Sequence, residues 1–250
     1  MSNSLLSKRD FMEIKNIPQH VSIIPDGNRR CAKRLMEKPW KGHEWGFTKL
    51  ERLFGWCKEI GIKIVTFYSL SLENLKNRPK EEIDFLFLLA KKELNNILVD
   101  ENNFVNKNRI RISFFGNTKL LPKELQDCIK GVEKKTKAYS DFFVNLAVAY
   151  GGRQEIIEAA KKIGLLVQAS KLRPDDINEA LFKQNLQTNG FPYPDLVLRT
   201  GGERRLSNFL PFQTTYSELL FIDTLWPELT KKEFIAAIKD YSQRQRRFGK

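Results

Sequence analysis

Residues that form disulfides and metal sites are scarce in this chain. Its 250 residues include three cysteines, Cys31, Cys57 and Cys128, and two histidines, His20 and His43. The cysteines are odd in number and lie far apart without a CxxC spacing, which favours reduced thiols in an intracellular protein. So few histidines and no paired cysteines argue against a zinc site.

Long apolar runs are also missing. No uncharged stretch approaches the about 20 residues of a bilayer-crossing helix. The first residues, MSNSLLSKRDFMEIKNIPQ, are too polar and too mixed in charge for a secretory signal. Without repeats or a linker, the sequence predicts a cytoplasmic protein in which residues 1–19 lead into one domain, residues 20–250.

Nucleotide- and nucleic-acid-binding signatures are absent as well. There is no GxGxxG after the first apolar run, no GxxxxGK[ST], and no zinc-finger or RNP-like pattern. Basic residues are nonetheless in excess, 43 against 30 acidic ones, for a net charge of +13. This charge predicts an anionic partner, either nucleic acid, anionic lipid or a phosphorylated metabolite, without choosing among them.

Six short runs rich in β-branched and aromatic residues alternate with helical patterns. The runs are residues 21–25, 62–70, 110–116, 142–150, 196–199 and 219–222, and the helical stretches are 43–60, 79–98, 121–139, 153–165, 174–187 and 230–247. The runs are apolar on both faces, as buried parallel strands are. The alternation predicts a single-domain α/β fold, with a mostly parallel sheet of about six strands and helices on both faces.

Polar and glycine-rich residues follow most of these runs. They include Asp26–Arg30, Ser71–Asn74, Gly116–Asn117, Gly151–Arg153 and Arg199–Arg205. Parallel strands all end at the same edge of the sheet, where open α/β sheets bind ligands. We therefore expect one polar site built from these segments.

Two of the segments have the composition of anion sites. In Asp26-Gly27-Asn28-Arg29-Arg30, glycine allows a close turn and the arginines match phosphate oxygens. A carboxylate among them is explained if Mg²⁺ lies between it and a phosphate, although an Asp-Gly turn with solvated arginines is an equal alternative. RTGGERRLS at 199–207 offers a second site, for which a basic turn is the alternative.

The helical stretch 79–98, PKEEIDFLFLLAKKELNNIL, is apolar around more than one face. Burial between the sheet and a neighbouring helix explains this, and so does a slot for an apolar ligand, which Phe85 or Phe87 could plug. The polar stretch 99–108 behind it would let the helix kink or shift. Two anion sites, a metal-binding acid and an apolar slot together suggest a substrate with a diphosphate head and a hydrocarbon tail.

The motifs that carry these features resemble those of the cis-prenyltransferases. The matching segments are HVSIIPDGNRRCAKR, GHEWG, TFYSLSLENLKNRP, FFGNT, NLAVAYGGRQEII, DLVLRTGGERRLSNFLPFQTTYSELLF, LWPEL and RQRRFG, in family order. Arg29, in place of a glycine, is more similar to archaeal and eukaryotic members.

The resemblance implies a hydrophobic tunnel. It also implies a Mg²⁺-dependent reaction that adds isopentenyl diphosphate to an allylic diphosphate, either farnesyl or geranylgeranyl diphosphate. The product would be a Z-polyprenyl diphosphate, which is a lipid-carrier precursor. The resemblance further implies a homodimer, in which Arg247–Gly249 reach the partner's site, peripheral membrane contact for product release, and no nucleic acid.

The resemblance also assigns roles to single residues. Asp26 and Asn74 would be catalytic, and Asp26 and Glu218 would hold the metal. Gly27, Asn28, Arg29 and Arg30 would cradle the allylic diphosphate. His43, Ser71, Leu72, Glu73 and Arg78 would lie around the reacting carbons, and Arg199, Arg205, Leu206 and Ser207 would bind isopentenyl diphosphate.

Three departures from the family pattern lie near the expected allylic substrate. Cys31 and Leu75 replace common aromatic residues, and Pro39 replaces a frequent arginine. They leave open a short-chain synthase or one that joins prenyl units irregularly. A non-catalytic partner subunit would lack the first motif, and a basic module that binds RNA or phosphate would explain neither Glu218 nor the apolar helix.

Overall fold

Residues 14–244 are described by the computed structural model. Its strands are β1 (His20–Ile24), β2 (Ile64–Ser71), β3 (Ile110–Phe115), β4 (Phe142–Tyr150), β5 (Leu196–Arg199) and β6 (Glu218–Phe221). They form one sheet in the order β3-β4-β2-β1-β5-β6, and every neighbouring pair is parallel. Every residue of β1 and β5 is buried, as expected for central parallel strands. The predicted six-stranded parallel sheet is confirmed.

Nine α-helices lie within the described range. They are α1 (Asn28–Arg34), α2 (Pro39–Ile60), α3 (Leu72–Asn77), α4 (Lys80–Val99), α5 (Phe104–Lys107), α6 (Lys123–Thr136), α7 (Gly152–Gln168), α8 (Glu179–Asn185) and α9 (Lys231–Gln243). Helix α2 begins earlier than its predicted start because Pro39 occupies its first turn. The predicted stretch 174–187 is a 3₁₀ turn, Pro174–Asp176, followed by the short α8.

Side chains of the sheet belong to two separate apolar clusters, one on each face of the sheet. The larger one joins strand residues such as Val21 and Phe67 to buried residues of α2, α4, α6 and α9. The smaller one contains Ile24 and Tyr68, packed against Phe209 and Leu210. Neighbouring strand residues point to opposite faces, so β1 contributes Ile23 to one cluster and Ile24 to the other. The sheet is therefore buried on both faces, with four of the helices packed on the larger cluster.

The strand order places a topological switch point beside β1. After β1 the chain forms β2, β3 and β4, which lie on one side of β1 in the spatial order β2-β4-β3. It then adds β5 and β6 on the other side of β1. Ligands of open α/β sheets bind at the carboxyl edge at such a point. No helix within residues 14–244 has both the length and the apolarity of a membrane span.

Candidate active site

A cavity of about 720 Å³ opens at the carboxyl edge of the central strands. Its polar lining comes from residues that end or follow β1, β2 and β5, including Asp26, Ser71 and Arg199. Its apolar lining comes from α2 (Phe47, Leu50), α4 (Leu86, Phe87, Ala90, Leu94), β3 and β4 (Phe114, Leu146, Val148) and Leu125 of α6. The site therefore joins a charged entrance to an apolar slot between helices and sheet, within the usual size range of ligand pockets.

Asp26 lies at the switch point and is held by two arginines. Its Oδ2 accepts a hydrogen bond from Arg199 Nη2 at 2.8 Å, and its Oδ1 accepts one from Arg30 Nη2 at 3.1 Å. The backbone is fixed through Thr200, whose Oγ1 accepts from the Asp26 N–H and donates to the Asp26 carbonyl. Because only part of the carboxylate is covered, with 29% of the side chain exposed, it remains reachable from the cavity.

Two glycines allow this close approach. Gly27 has φ 111°, and a Cβ there would lie 2.9 Å from Leu225 Cα. Gly201 has φ 84°, and a Cβ there would meet Arg30 Nη2 at 2.6 Å and the Asp26 carbonyl oxygen at 3.0 Å. In both cases the left-handed backbone and the missing side chain are required for the arginine-flanked carboxylate to form.

A second charged group surrounds Glu82, in the first turn of α4. The Glu82 side chain is only 3% exposed, and its Oε1 accepts from His43 Nε2 at 3.0 Å and lies 3.3 Å from Arg78 Nη1. Arg29 Nε is 3.7 Å from the other carboxylate oxygen. Burial alone would raise the pKa of Glu82, but His43, Arg78 and Arg29 outweigh it and hold the pKa below its ordinary value.

His43 is neutral in this arrangement. Burial lowers its pKa, and the neighbouring guanidiniums of Arg78 and Arg29 lower it further, against the opposing effect of Glu82. His43, Arg78 and Arg29 all line the cavity, whereas Glu82 does not. The buried carboxylate thus fixes three cavity-lining side chains without lining the cavity itself.

The loop after β5 brings a further set of donors to the same edge. Arg199 is 4% exposed, and its Nη1 donates to Ser207 Oγ at 2.9 Å. Arg205 is 60% exposed and pairs with Glu203, so its guanidinium can turn toward a ligand. Ser207 and Leu210 have φ values of 51° and 50°, a left-handed conformation that is costly for residues other than glycine and asparagine. The strained loop holds Arg199, Arg205 and Ser207 along one wall of the cavity.

Residues after β2 are positioned by Ser71 and Asn208. Ser71 Oγ accepts from the Asn74 N–H at 2.9 Å and so caps α3. Asn208 Nδ2 donates to Glu73 Oε1 at 2.9 Å, while Glu73 Oε2 is buried without a partner. Burial would raise the pKa of Glu73, but hydrogen bonds from its own backbone, Asn208 and Ser71 lower it. Glu73 is therefore ionised and lines the cavity, while its unpaired oxygen is buried.

Comparisons with known proteins agree with this geometry. The family model described as "Putative undecaprenyl diphosphate synthase" matches residues 24–249. The chain is 45% identical to the tritrans,polycis-undecaprenyl-diphosphate synthase (geranylgeranyl-diphosphate specific) of Methanopyrus kandleri, covering 94% of this chain and 85% of that protein. It is 47% identical to the Thermoplasma volcanium protein of the same description, covering 93% and 89%.

This chain belongs to the undecaprenyl diphosphate synthase family. It is a transferase of the cis-prenyltransferase class, as its motifs predicted. Lavandulyl diphosphate synthase from Lavandula x intermedia, solved with dimethylallyl diphosphate, superposes with a TM-score of 0.87 at 38% identity, covering 94% of this chain and 99% of that one. A probable undecaprenyl diphosphate synthase from Campylobacter jejuni superposes with a TM-score of 0.76 at 37% identity, covering 94% and 100%.

In this family member, most of the residues predicted from the motifs line the one cavity. They are Asp26, Asn28, Arg29, His43, Ser71, Glu73, Asn74, Arg78, Arg199, Arg205 and Ser207. Gly27 and Arg30 lie directly beside it through Asp26 and Gly201. Leu72 and Leu206 do not line it, because their side chains pack against the two apolar clusters. Their predicted substrate contact would have to come from the backbone.

Glu218 is not brought to the cavity. It is the first residue of β6, and the first residues of parallel strands lie at the opposite edge from Asp26. Its carboxylate accepts a hydrogen bond from Arg244 Nη1 at 2.9 Å. The structure therefore does not join the two predicted metal ligands within one chain, and in residues 14–244 no three acidic, histidine or cysteine side chains converge as a metal site. The predicted tail, Arg247–Gly249, lies outside the described residues.

Two residues of the site were missed by reasoning from the sequence, Glu82 and Asn208, whereas Arg153 belongs to a segment that was expected there. Arg153 and Asn208 line the cavity, and the Asn208 side chain also accepts from the Arg153 N–H at 2.9 Å. The four-residue spacing of Arg78 and Glu82 was the one available signal, since residues four apart can pair at the start of a helix, although Arg78 precedes α4, which begins at Lys80. Nothing in the sequence indicated that α1 and α2 would bring Arg29 and His43 to the same carboxylate.

Proposed function

We propose that this prenyltransferase condenses isopentenyl diphosphate onto geranylgeranyl diphosphate, with Mg²⁺, to give a long Z-polyprenyl diphosphate. One observation carries the proposal: an arginine-flanked carboxylate opens into an apolar slot within a single cavity. Such a cavity suits a substrate that is a diphosphate at one end and a hydrocarbon at the other. The preference for geranylgeranyl is supported by the printed specificity of the archaeal relatives.

The residues present fit a magnesium ion shared with substrate. Asp26 is the carboxylate held between Arg30 and Arg199 at the switch point, and Mg²⁺ in proteins is commonly held by one or two carboxylates together with substrate phosphates. Asp26 and diphosphate oxygens would hold the ion, which supplies positive charge against the diphosphate. Glu218 would join this site only from a second chain.

The proposed reaction breaks the allylic C–O bond, and the diphosphate leaves with the electron pair. Arg29 and Arg30 bind this leaving group and stabilise the charge that develops on it. Arg199, Arg205 and Ser207 hold the second diphosphate. The alkene of the isopentenyl group then forms the new C–C bond, and the amide oxygen of Asn74 is the proposed acceptor of the proton that is lost.

The assembly and the location of the enzyme belong to the same proposal. We propose a homodimer in the cytoplasm, with residues 20–250 as the catalytic unit, on the strength of the family resemblance. Sedimentation of the purified full chain measures the oligomeric state directly.

Incorporation of labelled isopentenyl diphosphate into a butanol-soluble product tests the function. Incubation with geranylgeranyl diphosphate and Mg²⁺ should give product, EDTA should abolish it, and restored Mg²⁺ should recover it. Asp26→Asn should lower turnover at least roughly a hundredfold, the usual cost of removing one group that stabilises developing charge. Full activity in EDTA or in Asp26→Asn would overturn the proposed roles of Mg²⁺ and Asp26.

The alternative is a short-chain or irregular synthase of the same fold. It is favoured by the close superposition on lavandulyl diphosphate synthase, and by Cys31, Pro39 and Leu75 at positions where the family differs. A reaction with dimethylallyl diphosphate alone identifies an irregular synthase, because such an enzyme uses this compound as both substrates. An enzyme that needs isopentenyl diphosphate is a chain elongator, and the mass of its product separates a short-chain from a long-chain synthase.

A further inference from the structure

The turn between α1 and α2 presents two apolar side chains to solvent. Leu35 is 55% exposed and Met36 is 98% exposed. Met36 also has φ 57°, a left-handed conformation that glycine or asparagine adopts far more easily at the end of a helix. A fully exposed methionine in this conformation contributes nothing to the core. Its presence is unexplained by the fold of the chain itself.

The turn is nevertheless fixed rather than loose. The Met36 N–H donates to the Lys33 carbonyl at 3.1 Å, and the Glu37 N–H donates to the Ala32 carbonyl at 2.9 Å. These bonds satisfy the last carbonyls of α1, as a capped helix end does. Leu35 and Met36 therefore form a preorganised apolar tip.

Basic residues surround this tip. Residues 33–41, KRLMEKPWK, contain Lys33, Arg34, Lys38 and Lys41 against a single acid, Glu37. Arg34 pairs with Glu228 and Lys41 with Glu44, while Lys38 Nζ lies 5.1 Å from the ring centre of Trp40. An apolar tip within a basic ring, next to a tryptophan, has the composition of a segment that inserts among anionic lipid headgroups.

The tip also adjoins the two helices that flank the apolar slot. The Trp40 ring, at the start of α2, lies 6.3 Å from the Phe85 ring of α4. The same two helices line the cavity through Phe47 and Leu50 on one side and Leu86 and Phe87 on the other. Leu88, one residue further along α4, is 65% exposed. An apolar seam thus runs from the cavity walls toward the exposed turn.

We propose that residues 33–41, which we name the basic turn, are the surface through which this protein docks on an anionic lipid bilayer. Leu35 and Met36 enter the headgroup region, Trp40 lies at its level, and Lys33 and Lys38 contact lipid phosphates. Docking in this orientation places the α2–α4 seam against the membrane. Passage of a polyprenyl tail along that seam rests on the proposed function, whereas the docking itself does not.

Co-sedimentation of the full chain with lipid vesicles, without any substrate, tests the docking. The wild-type chain should bind vesicles of phosphatidylcholine and phosphatidylglycerol and bind phosphatidylcholine alone much more weakly. The double variant Leu35→Ser/Met36→Asn should bind the mixed vesicles at least about tenfold more weakly, since two apolar side chains no longer enter the lipid. Asparagine tolerates the left-handed conformation, so the turn is preserved.

Matched variants on α7 and just after it serve as controls, because α7 adds no residue to the larger apolar cluster that α2 and α4 join, and its Glu155 accepts a hydrogen bond from Tyr150 of the smaller cluster. Leu165 is 65% exposed there, and Leu165→Ser should leave vesicle binding unchanged. Lys33→Glu/Lys38→Glu should remove the preference for the anionic vesicles, whereas Lys162→Glu/Lys171→Glu, with the same change of charge, should retain most of it.

Three outcomes would overturn the proposal. The first is a wild-type chain that binds neither kind of vesicle, and the second is a Leu35→Ser/Met36→Asn variant that binds vesicles like wild type. The third is a Leu35→Ser/Met36→Asn variant that sediments as a smaller oligomer than wild type. The last result would identify a second copy of the chain as the partner of the turn. Because no substrate is present, none of these results depends on whether the proposed reaction is correct.

Discussion

At the scale of single residues, the site depends on charges that hold each other in place. Asp26 lies between Arg30 and Arg199, and Glu82 lies among Arg29, Arg78 and His43. Asp26 is partly open to the cavity, whereas Glu82 is almost fully buried. Asp26 can therefore exchange an arginine for a ligand, while Glu82 can only orient the side chains around it.

Glu82 gives the sharpest prediction at this scale. Glu82→Gln keeps the shape but removes the charge that orients Arg29, Arg78 and His43, so Arg29, which is proposed to bind the allylic diphosphate, loses its fixed position. Since a hydrogen bond to a charged group is worth roughly 1.5–3 kcal/mol, the KM for the allylic diphosphate should rise about ten- to a hundredfold. Steady-state kinetics with each substrate varied in turn measures this.

The neighbouring residue supplies the control. Glu81 is exposed in the same helical turn, and Glu81→Gln should leave both KM values unchanged. A Glu82→Gln enzyme with a wild-type KM for the allylic substrate would contradict the orienting role, and so would an equal effect in both variants.

At the scale of elements, the sequence predicted the strands better than the short helices. Buried parallel strands appear in a sequence as apolar runs. The predicted bounds of all six strands therefore lie within two residues of the observed ones. Helices α1 and α3 were missed because they are short and polar. They form because Gly27, which turns closely against the distant Leu225, leads the chain into α1, and because Ser71 caps α3.

The stretch 99–108 differs from its prediction in a similar way. It was expected to let α4 kink or shift, but α4 runs unbroken from Lys80 to Val99 and the stretch folds into α5. Buried Asn106 anchors it, donating from Nδ2 to the Ile97 and Asp100 carbonyls, each at 2.8 Å. A hydrogen-bonded connection of this kind fixes the end of α4 rather than freeing it.

The walls of the slot yield a prediction for α4. Phe87 lines the cavity, whereas Phe85 contacts Trp40 and does not line it. Phe87→Ala should therefore enlarge the apolar slot and shift the products toward longer chains, because a growing tail gains from each buried unit. Phe85→Ala is the matched control and should leave the product distribution unchanged in mass spectra. The reverse pattern would show that the tail follows a different wall.

At the scale of the whole molecule, a buried hydrogen-bonded chain links the sheet to the segment before β5. His20 Nδ1 donates to the Pro192 carbonyl at 2.7 Å, so its Nε2 accepts from Thr66 Oγ1 at 2.7 Å. Asn145 Nδ2 in turn donates to Thr66 Oγ1 at 3.2 Å. Burial lowers the pKa of His20 from its ordinary 6.5 to about 4, so the folded protein keeps this ring neutral.

The stability of the fold should depend on pH through this residue. Between pH 6.5 and about 4 the unfolded chain binds a proton that the folded chain does not, so the free energy of unfolding falls as the pH is lowered through that window. The contribution of His20 is about 3 kcal/mol. Urea unfolding of wild type and His20→Asn at pH 7 and pH 4.5 isolates it from other acid-sensitive groups.

The variant should be less stable than wild type at pH 7, because it loses packing and a hydrogen bond. It should also lose less stability on acidification, since Asn145, Thr66 and Pro192 no longer surround a titrating ring. Parallel losses in the two proteins would show that His20 does not titrate in this window.

The motif residues and their common edge could be predicted from the sequence because each follows a strand of one parallel sheet. The convergence of α1, α2 and α4 on Glu82 could not, because it depends on how helices pack across the sheet. The same limit applies to Glu218, whose motif position suggested a metal ligand but whose place at the start of β6 puts it at the far edge.

The most direct test is the mass of the products formed by the full chain from excess isopentenyl diphosphate. Geranylgeranyl, farnesyl and dimethylallyl diphosphate are supplied as starters in separate reactions with Mg²⁺. We expect the highest kcat/KM with geranylgeranyl diphosphate and a dominant product of undecaprenyl length or longer. A product only one or two units longer than its starter, or an irregular product from dimethylallyl diphosphate alone, would contradict the proposed function.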